Sequence, residues 1–221
     1  MRIMKVFARR TTFSSQYSLW IIRLLICLGC ASATYAGQNA TRFFLNVAQD
    51  SSLAPHIELV KSANADLVEI DRIIYAHQKT IDELDQADKA NDVETVKSLL
   101  EDLIMVIDDG LKHGDSAAGK LERASTLVTI EEYKSYLSIK AQSVRTQVSA
   151  FKERRAAALL MRYNYGGTDK EREPRVKAEF RAKNQKFLKL LAEAKELSSG
   201  ADELARQHPD KIDVQFEAAK P

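Results

Sequence analysis

The 221-residue chain predicts an all-α fold, an elongated antiparallel bundle of about four long helices. Three observations carry that expectation. Aliphatic side chains recur at helical spacing through four consecutive blocks. The blocks are nearly equal, about 34 to 36 residues or roughly 50 Å at 1.5 Å per residue. Short segments rich in Asn, Asp, Gly and Pro separate them, and rods of equal length joined by short breaks pack most simply up-down-up-down.

Residues 1–36 read as a leader. No Asp or Glu precedes Asp50, whereas Arg2, Lys5, Arg9, Arg10 and Arg23 all precede the apolar run Leu24 to Leu28. Basic residues ahead of an apolar segment keep that end on the cytoplasmic side. The stretch Leu19 to Gly29 is interrupted by Arg23 and falls short of the ~20 residues that span a bilayer. Small residues follow, offering cleavage after Ala33 or, preferably, after Ala36. The expected location is therefore exported, periplasmic or envelope-associated. An Arg-rich, acid-free start also fits a mitochondrial presequence, but the compact run Ile21 to Leu28 followed by small residues fits secretion better.

Gly29-Cys30-Ala31-Ser32 resembles the lipid-attachment site of bacterial lipoproteins, with Cys27 and Leu28 where that pattern has a Leu-like and a small residue. The resemblance implies Cys30 as a possible lipidation point and a membrane-tethered adaptor as an alternative role. Arg9-Arg10-Thr11-Thr12-Phe13 is similar to a twin-arginine signal, with polar Thr12 where an apolar residue is preferred. Both cysteines lie in the leader, so a chain cut after Ala36 can hold no disulfide, thiolate metal site or cysteine nucleophile.

Residues 37–52 form a linker and 53–208 the bundle. Ser52 and Pro55 open the first block, because proline's missing N–H would have no helical partner in a first turn. Val60, Leu67, Ile74 and Ile81 recur every seven residues, with Ala63, Ile70, His77 and Leu84 interleaved, an a/d stripe of four heptads. Asn91-Asp92 can end this block and cap the next. In the second block Val96, Leu99, Leu103 and Val106 form a seam that Leu100, Ile104 and Ile107 widen. A break is expected near Gly110 to Gly114, since each glycine costs a helix interior ~1 kcal/mol relative to Ala.

Thr129 and Glu132 have capping-box spacing ahead of the third block. Ile130, Tyr133, Leu137, Ala141, Val144, Val148 and Phe151 stripe that block, which stops at Gly166-Gly167. Pro174 reopens a helix carrying Phe180, Phe187, Ala194 and Ala201, and His208-Pro209 closes it. In this helix Lys183 can lay its stem on apolar surface and put its ammonium in water. Residues 209–221 form an extended tail in which Ile212 to Phe216 alternate apolar and polar, with no second strand evident.

Charge is divided along the chain. From Asp50 to Asp109 acidic residues outnumber basic ones 15 to 5; from Gly110 to Lys195 basic residues lead 19 to 10. One reading gives the third and fourth blocks a surface for an anionic partner, formed by Lys152, Arg154, Arg155, Arg162, Arg172, Arg175, Lys177, Arg181 and Lys186. The other pairs acidic with basic helices inside the bundle. The expected partner is a protein or an anionic envelope component, with a membrane surface possible. Nucleic acid is not expected, because an exported chain leaves the genome behind and no stacking motif accompanies the charges.

His77 interrupts an aliphatic stripe and is the one candidate cofactor ligand, which makes a metal- or haem-binding bundle a further alternative. Glu-x-x-His and His-x-x-x-His pairings are absent, and His56, His113 and His208 fall near block ends. No cofactor is therefore expected, and the histidine's polar edge should instead find a carboxylate or carbonyl. Met105 and Met161 read as gap fillers. Tyr163-Asn164-Tyr165-Gly166-Gly167 is either a recognition surface or a cover for the end of the core. No nucleophile elbow, P-loop, dinucleotide fingerprint or zincin motif occurs. The expected role is thus non-catalytic binding or scaffolding.

Overall fold

Pro55 opens the first helix where the sequence places it. The structure, a computed structural model, describes residues 42–44, 55–167, 172–212 and 215–217. These residues form α1 (Pro55–Ala76), α2 (Gln78–Lys89), α3 (Val93–Leu127), α4 (Glu131–Asn164) and α5 (Glu173–Gln207). They also form a small antiparallel ribbon of β1 (Arg42–Phe44) and β2 (Gln215–Glu217). The class is all-α, and with α1 and α2 taken as one rod there are four long rods. Among the described residues no helix is long and apolar enough to cross a membrane.

The break in the rods lies at His77, not near Gly110 to Gly114. The His77 Nδ1 lies 2.8 Å from the Ile73 carbonyl. That oxygen would accept the His77 backbone N–H in an unbroken helix. Displaced, the N–H turns to Ile74 O at 3.2 Å, and His77 sits at φ −106°, ψ 10° between α1 and α2. The second block, by contrast, passes through both glycines as one helix of 35 residues. Burial of Leu103, Ile107, Ala117 and Leu121 on its flank outweighs the glycine cost. Gly114 also has a packing reason: a Cβ there would lie 2.6 Å from Val148 Cγ2 of α4.

The α2–α3 corner follows the sequence closely. Asn91 takes φ 57°, its N–H reaches Asp88 O, and the Asp92 N–H reaches Ala87 O, both at 3.0 Å. This is the paired helix-ending pattern in which a left-handed residue, here Asn, satisfies the last carbonyls. Asp92 then caps α3, accepting the Thr95 N–H at 3.2 Å and its hydroxyl at 2.7 Å. The capping box expected at Thr129 and Glu132 does not form. Ile130 is the N-cap without a side-chain bond, and Glu132 instead accepts from Lys211 at 2.5 Å. That ammonium and its hydrogen bond hold the Glu132 carboxyl below its ordinary range.

The rods pack in chain order. Among the described residues the extensive contacts join α1 and α2 to α3, α3 to α4, and α4 to α5. Helix α4 buries two faces. Tyr133, Leu137, Val144 and Val148 lie on one, while Tyr136, Ser143, Ala150 and Ala157 recur every seven residues on the other. The second face meets α5, where Ser143 Oγ donates to Ala194 O at 2.8 Å. Small residues there let the two backbones approach. Lys183 reaches Glu179 at 3.6 Å, its stem partly covered.

Two clusters make the core. The one near the chain ends gathers Val60, Ala63, Leu121, Tyr136, Leu137, Ala201 and Ile212. The one near the α2–α3 corner gathers Leu84, Val96, Leu100, Leu103, Ile107 and Met161. In the ribbon, Arg42, Phe43 and Phe44 lie opposite Glu217, Phe216 and Gln215. The tail read as lacking a partner strand thus has one, in a three-residue segment too short to announce itself by periodicity.

Candidate functional site

Between the two clusters the packing leaves a groove enclosing about 70 Å³. Ile70, Ile73, Ile74 and His77 contribute one wall, and Val144, Gln147, Val148 and Phe151 of α4 another. Helix α3 supplies Leu103, Val106, Ile107, Gly110, Leu111 and Gly114. Among the described residues only His77 and Gln147 bring polar side chains to it. Gly110 lacks a side chain where a Cβ would meet nothing within 4 Å. It is a glycine inside a helix that sterics do not demand.

The Ile73 carbonyl can only accept, so the hydrogen between it and His77 resides on Nδ1. In the neutral ring the other nitrogen, Nε2, therefore carries a lone pair. The stripe's odd histidine is half-buried, and its polar edge finds the backbone carbonyl that the sequence reading anticipated. Among the described residues no three His, Cys, Asp or Glu side chains gather as a metal-binding group. His56 stacks edge-on against Tyr133 with centroids 6.1 Å apart, and the His208 carbonyl accepts the N–H groups of Lys211 and Ile212. Met105 is exposed and Met161 is buried in the core.

His113 joins a polar cluster between α1 and α3. Its Nδ1 lies 3.2 Å from Asp66 Oδ1, and Lys120 Nζ lies 2.6 Å from Oδ2. Burial pushes the Asp66 carboxyl up, but hydrogen bonds from Lys120, Ser116 and His113 outweigh it and hold the group below its ordinary range. The cluster fastens two helices.

The basic residues divide. Arg154 is not part of any surface: it is 3% exposed, with its guanidinium 5.3 Å from the centre of the Phe187 ring. It stands on the α4 face that receives α5, one turn from Ala150 and Ala157. Several others serve as ties between helices: Lys152 to Asp115 at 3.5 Å, Arg155 Nη2 to Asp108 at 2.8 Å, Arg162 to Glu101 at 2.8 Å and Lys186 to Glu153 at 2.5 Å. Arg172, Arg175 and Arg181 are exposed and Lys177 half-buried around the start of α5.

The two tyrosines of the Tyr163–Gly167 segment differ in their surroundings. Tyr165 covers the core end, its hydroxyl donating to buried Asp88 at 2.5 Å. Tyr163 is 71% exposed, with Arg162 5.5 Å from its ring centre. Gly166 takes φ +71° against Val93, where a Cβ would lie 2.6 Å from Cγ1. Cys30, the leader and the cleavage positions lie outside the described residues.

Sequence reasoning found His77 but missed the groove. Gln147 had a signal, since it is polar beside Val144, Val148 and Phe151; Gly110 was read as a breaker. No family model, curated protein or solved structure matches the chain.

Proposed function

We propose that the protein is an exported, envelope-associated helical bundle that acts by binding rather than catalysis, and that the groove between α1, α3 and α4 is where it binds. The supporting observation is the lining: three helices supply apolar side chains around a space left open by Gly110, with only His77 and Gln147 to orient a guest. Concave, mostly apolar sites with a few polar groups are the usual form of small-ligand sites. The acid-free leader supports export, and the exposed arginines at the start of α5 suit an anionic envelope neighbour.

Xenon, an apolar atom small enough for an enclosed space of about 70 Å³, tests the site through its chemical shift in solution. The wild-type chain should bind it, and Gly110→Leu, which fills the groove, should not; equal binding by both removes the groove from consideration. Sequencing the N-terminus of protein from its host tests export, with a start at Thr34 or Gly37 expected. Recovery of an intact Met1 terminus would contradict it. Retention in the membrane fraction that Cys30→Ala abolishes would instead favour the lipid-tethered alternative, because cleavage after Ala33 or Ala36 removes Cys30.

A further inference from the structure

The geometry points to a saccharide site beside Tyr163, where a neutral sugar ring packs on the tyrosine and sets its hydroxyls among the polar side chains around it. Among the described residues this site shares none with the groove between α1, α3 and α4, so the two stand or fall separately. Glu94, Lys97, Ser98 and Glu101 fall at i, i+3, i+4 and i+7 on α3 and therefore share one face. Arg162 and Tyr163, in the last turn of α4, complete an open hollow of about 440 Å³ with them. One guanidinium joins the two helices there: Arg162 Nη2 donates to Glu101 Oε2 at 2.8 Å, and Arg162 lies 5.5 Å from the centre of the Tyr163 ring.

The turn that carries Tyr163 is anchored, although the tyrosine itself is 71% exposed. The Tyr165 N–H reaches Met161 O at 2.8 Å and its hydroxyl reaches buried Asp88. Gly166 lies so close to Val93, the residue before Glu94, that a Cβ would come within 2.6 Å of Val93 Cγ1. An aromatic ring presented to water from a fixed backbone offers contact area at little entropic cost.

Size, charge and hydrogen bonding select the ligand. Six residues are too few for a protein partner, whose interface engages about 20–30 residues a side. The volume instead falls within the roughly 300–1,000 Å³ of small-ligand sites. Glu94 and Glu101 balance Lys97 and Arg162, so the lining attracts neither an anion nor a cation by net charge. The carboxylates only accept hydrogen bonds, Lys97 and Arg162 only donate, and Ser98 does both. A guest must therefore present donors and acceptors side by side, which a hydroxyl does in one group. The electron-rich face of Tyr163 complements the C–H face of a sugar ring. A wholly apolar guest would meet that one ring and leave five polar side chains without partners.

Saturation-transfer NMR on the full chain with the neutral tetramers of glucose, galactose, mannose and N-acetylglucosamine tests this. At least one tetramer should bind. Tyr163→Ala should weaken that binding about fivefold, and Tyr163→Phe, which keeps the ring, should stay within about twofold of wild type. Glu101→Gln should cost about fivefold through the lost charge-assisted hydrogen bond. Tyr75→Ala removes an 85% exposed tyrosine on α1 and should change nothing, which controls for sugar adsorbing to any exposed ring. Raising the salt from about 50 to about 500 mM should alter affinity less than about twofold, because screening weakens only interactions between charges. Failure of all four tetramers to bind would overturn the inference, as would binding that Tyr163→Ala leaves intact. Tighter binding of tetragalacturonate than of every neutral tetramer would also overturn it, since the hollow would then be reading negative charge.

Discussion

Asp88 shows how one side chain can hold a corner. It is fully buried beside the α2–α3 turn, and Tyr165 reaches it from the far end of α4 with a 2.5 Å hydrogen bond. Removing that hydroxyl leaves a buried carboxylate short of a donor, which costs about 1–3 kcal/mol. Tyr165→Phe should accordingly lower the urea midpoint without changing helix content. Burial, followed by the hydrogen bond and charge of Asp88, raises the Tyr165 pKa above its ordinary 10.0. The unfolded chain therefore releases this proton near pH 10 while the folded chain retains it, and stability falls as pH rises beyond that point. Buried Tyr136 is shifted in the same direction. Denaturation at pH 8 and pH 10.5 should show a smaller alkaline loss for Tyr165→Phe than for wild type.

The two central glycines of α3 separate propensity from packing. Gly110→Ala adds a methyl that meets nothing within 4 Å and should stabilise by ~1 kcal/mol. Gly114→Ala forces a methyl to within 2.6 Å of Val148 Cγ2 and should destabilise despite the same propensity gain. Thermal melts of the two variants should move in opposite directions; a shared direction would mean α3 is interrupted after all. Rod boundaries were legible wherever backbone chemistry marks them: Asn91-Asp92, Gly166-Gly167, Pro174 and His208-Pro209 all end or open helices as read. The break at His77 was not legible, because it depends on a ring nitrogen taking a carbonyl from its own backbone. Propensity also misplaced a break at Gly110, since buried flanks can sustain a helix across residues that disfavour it.

At the level of the whole molecule, α5 depends on α4 for most of its attachment among the described residues. Its buried Phe187, Ala194 and Ala201 lie seven residues apart, and Ser143 donates to the Ala194 carbonyl. Ala194→Leu would overfill that seam at a cost of about 1–3 kcal/mol. Hydrogen exchange should then show α5 losing protection before α1 and α3; uniform loss would mean α5 is held by more than this seam. The bundle itself could be read from repeating aliphatics and equal lengths. The groove could not, because residues 70–77, 103–114 and 144–151 meet only after three rods are laid together. Neighbour-to-neighbour packing also bears on how the chain assembles. Each helical hairpin can close over a short connection at small entropic cost, and topologies dominated by such local pairings fold quickly. The ribbon is the exception: it joins residues 42–44 to 215–217, so its pairing must span nearly the whole folded chain and has reason to form last.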